Sequence, residues 1–410
     1  MEIKDNEKQK KDLGLYIHIP FCQKKCDYCD FLSAPADCDT KEKYVQALIT
    51  EILSYKELAS EYLVRTIFIG GGTPSSIEGK CITDIMDAIR EVFIISGESS
   101  QQNKKQDFIN ADANFGSVIK DTVEITIEVN PGTLSREKLK LYKEAGINRL
   151  SFGLQSADNK ELKLLGRIHS FEDFITNYQL AREEGFHNIS IDLMSGLPGQ
   201  TLEDWLSTLN KVVALNPEHI SAYSLILEEG TPFYERYREE DQDENLDREI
   251  YSQTKTYLSH HGYYRYEISN YAKPGYESRH NSSYWRRTEY LGIGLGASSL
   301  LHNVRFHNEE DLTKYMKLSA DCHDIRRNVE ELLMKEQMEE FMFLGLRMSD
   351  GIKKEEFKKL FGRSIDTVYG DVISKSIQEE LLYMDESHLY LTEKGIDLSN
   401  MVLARFLLED

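Results

Sequence analysis

The chain has 410 residues, is 40% apolar and carries 23 tyrosines, a composition of folded globular proteins with room for two or three domains. Its formal net charge of −21 excludes a general nucleic-acid binder, which needs a basic face to neutralise phosphates. Residues Met1 to Lys11 are charged and contain no apolar signal region, and no apolar run reaches the ~20 residues of a membrane helix, so a cytoplasmic protein is expected.

A charged tail (1–12) leads into an alternating apolar run, Leu15–Ile19, which predicts a short buried strand ended by Pro20. Further strands are expected at Thr66–Ile69, Glu124–Val129, Arg149–Leu154, Ser190–Met194 and His219–Leu225. Amphipathic helices are expected between them at Lys41–Glu57, Ile82–Phe93, Arg136–Ala145, Phe171–Glu184 and Leu202–Ala214. This α/β alternation implies a parallel sheet with right-handed crossovers, and six units make a partial (β/α)6 TIM-like barrel over residues 13–240. Chemistry in such barrels gathers at the C-terminal strand ends. Residues 98–121 read as a polar surface insertion, and Glu239–Asp247 as a solvated acidic link.

An extension (241–329) follows. It holds a helix at Arg248–His260, an aromatic strand-like run at Tyr263–Ile268, the motif His280-Asn281-Ser282-Ser283-Tyr284-Trp285, and a glycine-rich stretch, Leu291–Ala297, expected to run extended. From Glu330 the pattern is helical (Glu330–Met348, Lys353–Phe361, Thr367–Glu379), with a hairpin at Leu381–Leu391 and a last helix from Thr392. That order resembles a winged-helix domain, diluted in basic charge and read as a cover or docking module.

Of six cysteines, Cys38, Cys81 and Cys322 are scattered, while Cys22, Cys26 and Cys29 crowd one loop directly after the first strand. This is no disulfide framework and fits a reducing compartment. Three thiolates spaced Cys-x3-Cys-x2-Cys can hold an iron–sulfur cluster with one iron left open. A zinc knuckle completed by Cys38 or His18 is the alternative, though zinc sites more often pair Cys-x2-Cys units. The other expected strand ends bring Gly70-Gly71-Gly72-Thr73-Pro74, Glu128 with Asn130, Gln155, and Asp192 with Gly196–Gly199 to the same rim. Glu128 and Asp192 suit an ammonium or ribose hydroxyls, or alternatively cap helices. Gln155 offers a donor and an acceptor, and Arg167 can clamp a carboxylate or stay solvated. Tyr16 shares a strand face with His18, itself either functional or a satisfied core histidine.

The cysteine loop resembles that of the radical S-adenosylmethionine (SAM) family, in which such a triad holds a [4Fe–4S] cluster whose open iron is chelated by SAM. Tyr16-Ile17-His18-Ile19-Pro20-Phe21, Gly70–Ser75, Glu128-Val129-Asn130-Pro131-Gly132, Leu154-Gln155-Ser156, Gly166-Arg167-Ile168-His169 and Asp192–Gln200 sharpen this to the oxygen-independent coproporphyrinogen III oxidase-like (HemN-like) branch. The resemblance implies SAM contacts at Tyr16, Tyr28, Gly71, Gly72, Thr73, Glu128, Gln155, Arg167, Asp192 and Ile226.

The oxidases of that branch carry a further cysteine where Phe31 stands, and a longer N-terminal region. Both departures point to the haem-chaperone members, which share the His-Asn-x-x-Tyr-Trp motif. The resemblance thus implies haem at His280, Asn281, Tyr284 and Trp285. It also implies delivery to respiratory haemoproteins at the membrane and a possible cluster-linked homodimer. From residue types alone, His280 and Asn281 read equally as a turn, and Tyr284 and Trp285 as core.

Overall fold

The computed structural model describes residues 10–98, 122–238 and 243–408, so nearly all of the expected 98–121 insertion and part of the acidic link lie outside the described residues. Strands β1 (Lys11–Ile19), β2 (Tyr62–Gly71), β3 (Glu124–Val129), β4 (Arg149–Gln155), β5 (Ile189–Ser195) and β6 (His219–Ser224) pair in parallel, in that order. The helices Cys38–Ser54, Gly79–Val92, Arg136–Glu144, Phe171–Glu183 and Leu202–Ala214 return the chain between them. Asp37, Ser135, Ser170 and Thr201 cap four of these by accepting a backbone N–H with their side chains.

Strand alternation divides the side chains into two sets. Ile17, Ile67, Ile127, Phe152, Ile191 and Ile220 face the helices and build the main core. The alternate positions Phe68, Glu128, Arg149, Ser151, Ser190, Asp192, His219 and Ser221 line an internal cavity instead. TIM barrels fill this space with branched apolar layers. Here it is polar.

Beyond β6 the sheet continues antiparallel with β8 (Asn270–Ala272) and then β7 (Tyr264–Arg265). A seventh parallel strand, β9 (Tyr290–Ile293), joins the other side of β1 and is followed outward by β10 (Ser298–Leu301), β11 (Val304–Asn308) and β12 (Arg326–Glu331). The glycine-rich stretch is therefore extended only to Ile293, because Gly294 and Gly296 take positive φ of 111° and 63° and turn the chain. The helix expected from Glu330 starts at Met334, since Glu330 and Glu331 belong to β12.

Residues from Met338 onward have a core of their own, including Met342, Phe357, Tyr369, Leu389 and Phe406, beside a small sheet of β13 (Ile352–Lys353), β14 (Leu382–Met384) and β15 (His388–Leu391). Several ties join this unit to the barrel, among them ion pairs of Glu393 with Arg265 and Lys255 and of Asp350 with Arg286. Glu340 accepts from Arg287 Nε at 2.7 Å and Arg305 Nη2 at 2.6 Å, and the Arg347 guanidinium lies 4.3 Å from the Trp285 ring. Among the described residues no helix is long and apolar enough to cross a membrane.

The turn after β9 is held by Glu51, which is fully buried and accepts from Gly294 N at 2.9 Å, Asn308 Nδ2 at 2.8 Å and Tyr315 Oη at 2.5 Å. Burial pushes its carboxyl up to about 7, against the pull of these donors. Glu51→Gln points an amide N–H2 into a ring of donors and leaves one N–H unpaired. It is expected to lower stability by about 1–3 kcal/mol, read as a lower urea midpoint.

Candidate functional site

The cysteine loop leaves β1 at Pro20 and is clasped to the end of β2: Gly72 N donates to Ile19 O at 2.9 Å and Thr73 N to Phe21 O at 2.7 Å. A Cβ on Gly72 would sit 2.8 Å from Phe21 O, and one on Gly71 would enter the His18 imidazole. The glycines are needed, first of all, to let the cysteine loop and His18 approach β2. Beyond the cysteines, Ala34 N donates back to Pro20 O, and His18 Nε2 pairs with Leu32 O at 3.0 Å. The His18 Nδ1 takes the Tyr16 hydroxyl at 3.0 Å. Both ring nitrogens are thus occupied, which leaves His18 no lone pair for a zinc knuckle, and Cys38 stands exposed at the start of its helix, outside the cavity that the other three cysteines line.

Cys22, Cys26 and Cys29 line the mouth of the cavity, whose volume is about 420 Å³. Nine of the ten expected SAM contacts share that lining: Tyr28, Gly71, Gly72, Thr73, Glu128, Gln155, Arg167, Asp192 and Ile226. Tyr16 does not. It lies behind Phe68, ring centroids 6.3 Å apart, and reaches the site through His18. Gln155 sits at φ 74°, a left-handed conformation that a non-glycine residue keeps only where its surroundings enforce it. Arg167 is not on a solvated turn: Nη1 donates to Cys26 Sγ at 3.4 Å, and Nη2 to Asn130 Oδ1 at 2.7 Å and to Gly153 O.

The cavity holds unbalanced charge. Glu128 accepts from Gly71 N at 3.0 Å, yet burial and the Asp192 charge push its carboxyl up to about 8. Burial also raises Asp192, against hydrogen bonds from Ser221 at 2.8 Å and Ser151 at 3.0 Å. Burial pushes the Cys29 thiol up to about 11. Two carboxylates facing a cavity are what a cationic ligand relieves, and three thiols on one loop are what an iron–sulfur cluster deprotonates. By residue type the donor set suits both groups, although among the described residues no three His, Cys, Asp or Glu side chains converge closely enough to grip one metal ion.

The expected haem residues fall on a short helix, Arg279–Trp285, and not on a turn. His280 is 1% exposed on the barrel floor. Its Nδ1 pairs with Thr66 Oγ1 at 2.9 Å and its Nε2 with Tyr284 Oη at 2.8 Å, while its backbone N–H donates to Glu124 at 3.0 Å. Burial and the nearby Arg149 charge hold its ring down to about 3. Asn281 reaches the cavity; Trp285 faces Arg347. The helix therefore brings His280 and Tyr284 together and sets Asn281 and Trp285 apart.

Arg149, Ser151, Ser190, His219 and Ser221 also line the cavity and were missed as site residues. Counting back by twos from Gln155 through Gly153 and Ser151 to Arg149 finds the first of them. In the ligand-free protein Glu128 binds its proton more tightly folded than unfolded, so stability is lost as pH rises from about 4.5 through about 8. Glu128→Gln removes that loss while keeping an acceptor for Gly71 N. Its melting temperature is expected to match wild type near pH 5 and to exceed it by a growing margin toward pH 8.5.

The Radical SAM superfamily model matches residues 16–212, and the HemN C-terminal domain model matches residues 332–398. The heme chaperone HemW of Bacillus subtilis is 38% identical over 96% of this chain and 98% of its own length, and that of Escherichia coli is 33% identical over 97% and 98%. Among solved structures, coproporphyrinogen III oxidase (HemN) from Escherichia coli superposes with a TM-score of 0.80 at 24% identity, covering 97% of this chain and 90% of that one, which establishes the shared fold. The superfamily implies a [4Fe–4S] cluster and SAM, in agreement with the donor set at the cavity. By full-length identity on this radical SAM barrel and HemN-type C-terminal domain, the chain belongs to the family of the heme chaperone HemW.

Proposed function

We propose that the protein is a haem chaperone that binds haem and hands it to respiratory haemoproteins at a membrane. Cys22, Cys26 and Cys29 would hold a [4Fe–4S] cluster, and the cavity behind them would seat SAM. The observation that carries this reading is the full-length identity of 33–38% to relatives named heme chaperones. Phe31 supports it: where the oxidases have a further cysteine, this chain has a phenylalanine 58% exposed at the cavity mouth.

When bound, the cluster and SAM would supply one-electron chemistry. The chain's own residues position and neutralise. Glu128 and Asp192 would face the ligand's ammonium and ribose hydroxyls, and the Glu128 carboxyl, pushed up to about 8, would ionise when a cation arrives. Arg167, braced by Asn130 and Gly153 O, presents its guanidinium beside Cys26. Tyr28 packs between the cluster loop and the apolar group of Leu165, Leu197, Leu225 and Phe233, excluding water from one side. His18 holds the far end of the cysteine loop through Leu32 O.

The test is to offer the anaerobically purified, cluster-bearing protein both haem and coproporphyrinogen III. Stable haem uptake with no porphyrinogen turnover is expected; formation of protoporphyrinogen IX overturns the chaperone reading. For His280 to ligate haem iron through Nε2, iron must displace the Tyr284 hydroxyl. His280→Ala is therefore expected to weaken haem uptake with the iron–sulfur absorbance unchanged. Tyr284→Phe, which keeps the ring and removes the competing hydrogen bond, is expected to strengthen uptake by about fivefold. Unchanged uptake in both variants moves the iron ligand elsewhere.

A further inference from the structure

Arg149 begins β4, is 2% exposed and lines the deep end of the cavity, on the same strand face as Ser151, Gly153 and Gln155. Its Nε has no hydrogen-bond partner, and no ion pair to its guanidinium occurs among the described residues. Directly across on β3, Thr126 is fully buried with an unpartnered hydroxyl. A guanidinium withdrawn from water is costly unless paired, and five fixed N–H donors make it a carboxylate fork.

The neighbours leave that fork unused. Both ring nitrogens of His219 are taken, by Ser190 Oγ and Tyr266 Oη at 2.8 Å each, and both of His280 are taken within the floor. Asp192 feels the Arg149 charge but hydrogen-bonds to Ser151, Ser190 and Ser221. Of the other cations lining the cavity, Arg167 already spends its Nη groups on Cys26, Asn130 and Gly153, and Lys24 on the cysteine loop donates to Gly166 O at 3.4 Å.

We propose that Arg149, on the barrel floor, is an anion subsite that takes an alkyl carboxylate of the ligand occupying the cavity. That group is a porphyrin propionate, which rests on the haem-chaperone reading above; the amino-acid end of SAM is not available to it, since in the superfamily it chelates the open iron of the cluster at the other end of the cavity. The cavity leads from the cysteines at its mouth to Arg149 at its floor, so a ligand entering past the cluster loop meets the guanidinium with its leading end.

The test compares haem with haem dimethyl ester, and SAM with decarboxylated SAM as the control, on cluster-reconstituted wild type, Arg149→Gln and Arg149→Lys. In wild type haem is expected to bind roughly 10- to 100-fold more tightly than its ester. Arg149→Gln is expected to abolish that preference, and Arg149→Lys to retain part of it, while the preference for SAM over its decarboxylated form, set by the cluster iron, stays unchanged in both. No preference for haem over its ester in wild type, a preference unchanged in Arg149→Gln, or a loss confined to the SAM pair overturns the subsite. If wild type takes up neither haem nor its ester, the chaperone reading fails and the subsite with it; if it takes up both equally, the subsite alone fails. Ligand-free Arg149→Gln, relieved of a buried charge, is expected to melt no lower than wild type; a clearly lower melting temperature means that the guanidinium is satisfied within the fold and also overturns the proposal.

Discussion

The structure depends on one constraint: the register of six neighbouring parallel strands, which sends Ile, Leu and Phe outward to the helices and Ser, Glu, Asp, Arg and His inward. A slip of one residue in any strand would bury carboxylates in the main core and point its isoleucines at the cavity. Each inward charge costs solvation that the protein alone does not return, as the raised carboxyls of Glu128 and Asp192 record. The apolar set therefore stabilises the fold while the polar set destabilises it locally. Binding groups held in such an environment are oriented before a ligand arrives and gain most from its charge.

The cysteine loop shows the same division between scaffold and site. Its cysteines lie at the mouth of the cavity, but backbone hydrogen bonds from Gly72, Thr73 and Ala34 set its path. Those bonds close only because Gly72 has no side chain to strike Phe21. Tyr16 and His18 belong to this support: they shape the loop from behind and do not face the cavity directly.

Much of this was legible in the chain. The strand Glu124–Val129 and the helix Leu202–Ala214 occur with the bounds that their apolar patterns imply, because a buried parallel strand and an amphipathic helix each leave a strong local signature. The cysteines and the carboxylates at strand ends were legible for a different reason: their spacing repeats at the same point of each unit. The seventh parallel strand was not, since Gly292 and Gly294 mask its pattern and its partner residues on β1 lie 276 positions away in sequence. The helix at Arg279–Trp285 is too short for a periodic signal, and only contacts with Thr66, Glu124 and Tyr284 reveal where His280 goes. Arg149 went unnoticed because a lone arginine at a strand start usually reaches solvent, and only the alternation counted back from Gln155 puts this one on the inward face.

The helix that bears His280 is fastened at its other end to the C-terminal unit. Just past Trp285, Arg287 shares the nearly buried Glu340 carboxylate with Arg305, and Arg347 covers the indole. The barrel floor and the C-terminal unit consequently share a mounting plate. A push on the helix Met334–Gly345 from outside is passed to the end of the same short helix whose His280 and Tyr284 meet on the barrel floor, so a run of paired side chains leads from the surface of the molecule to a buried histidine.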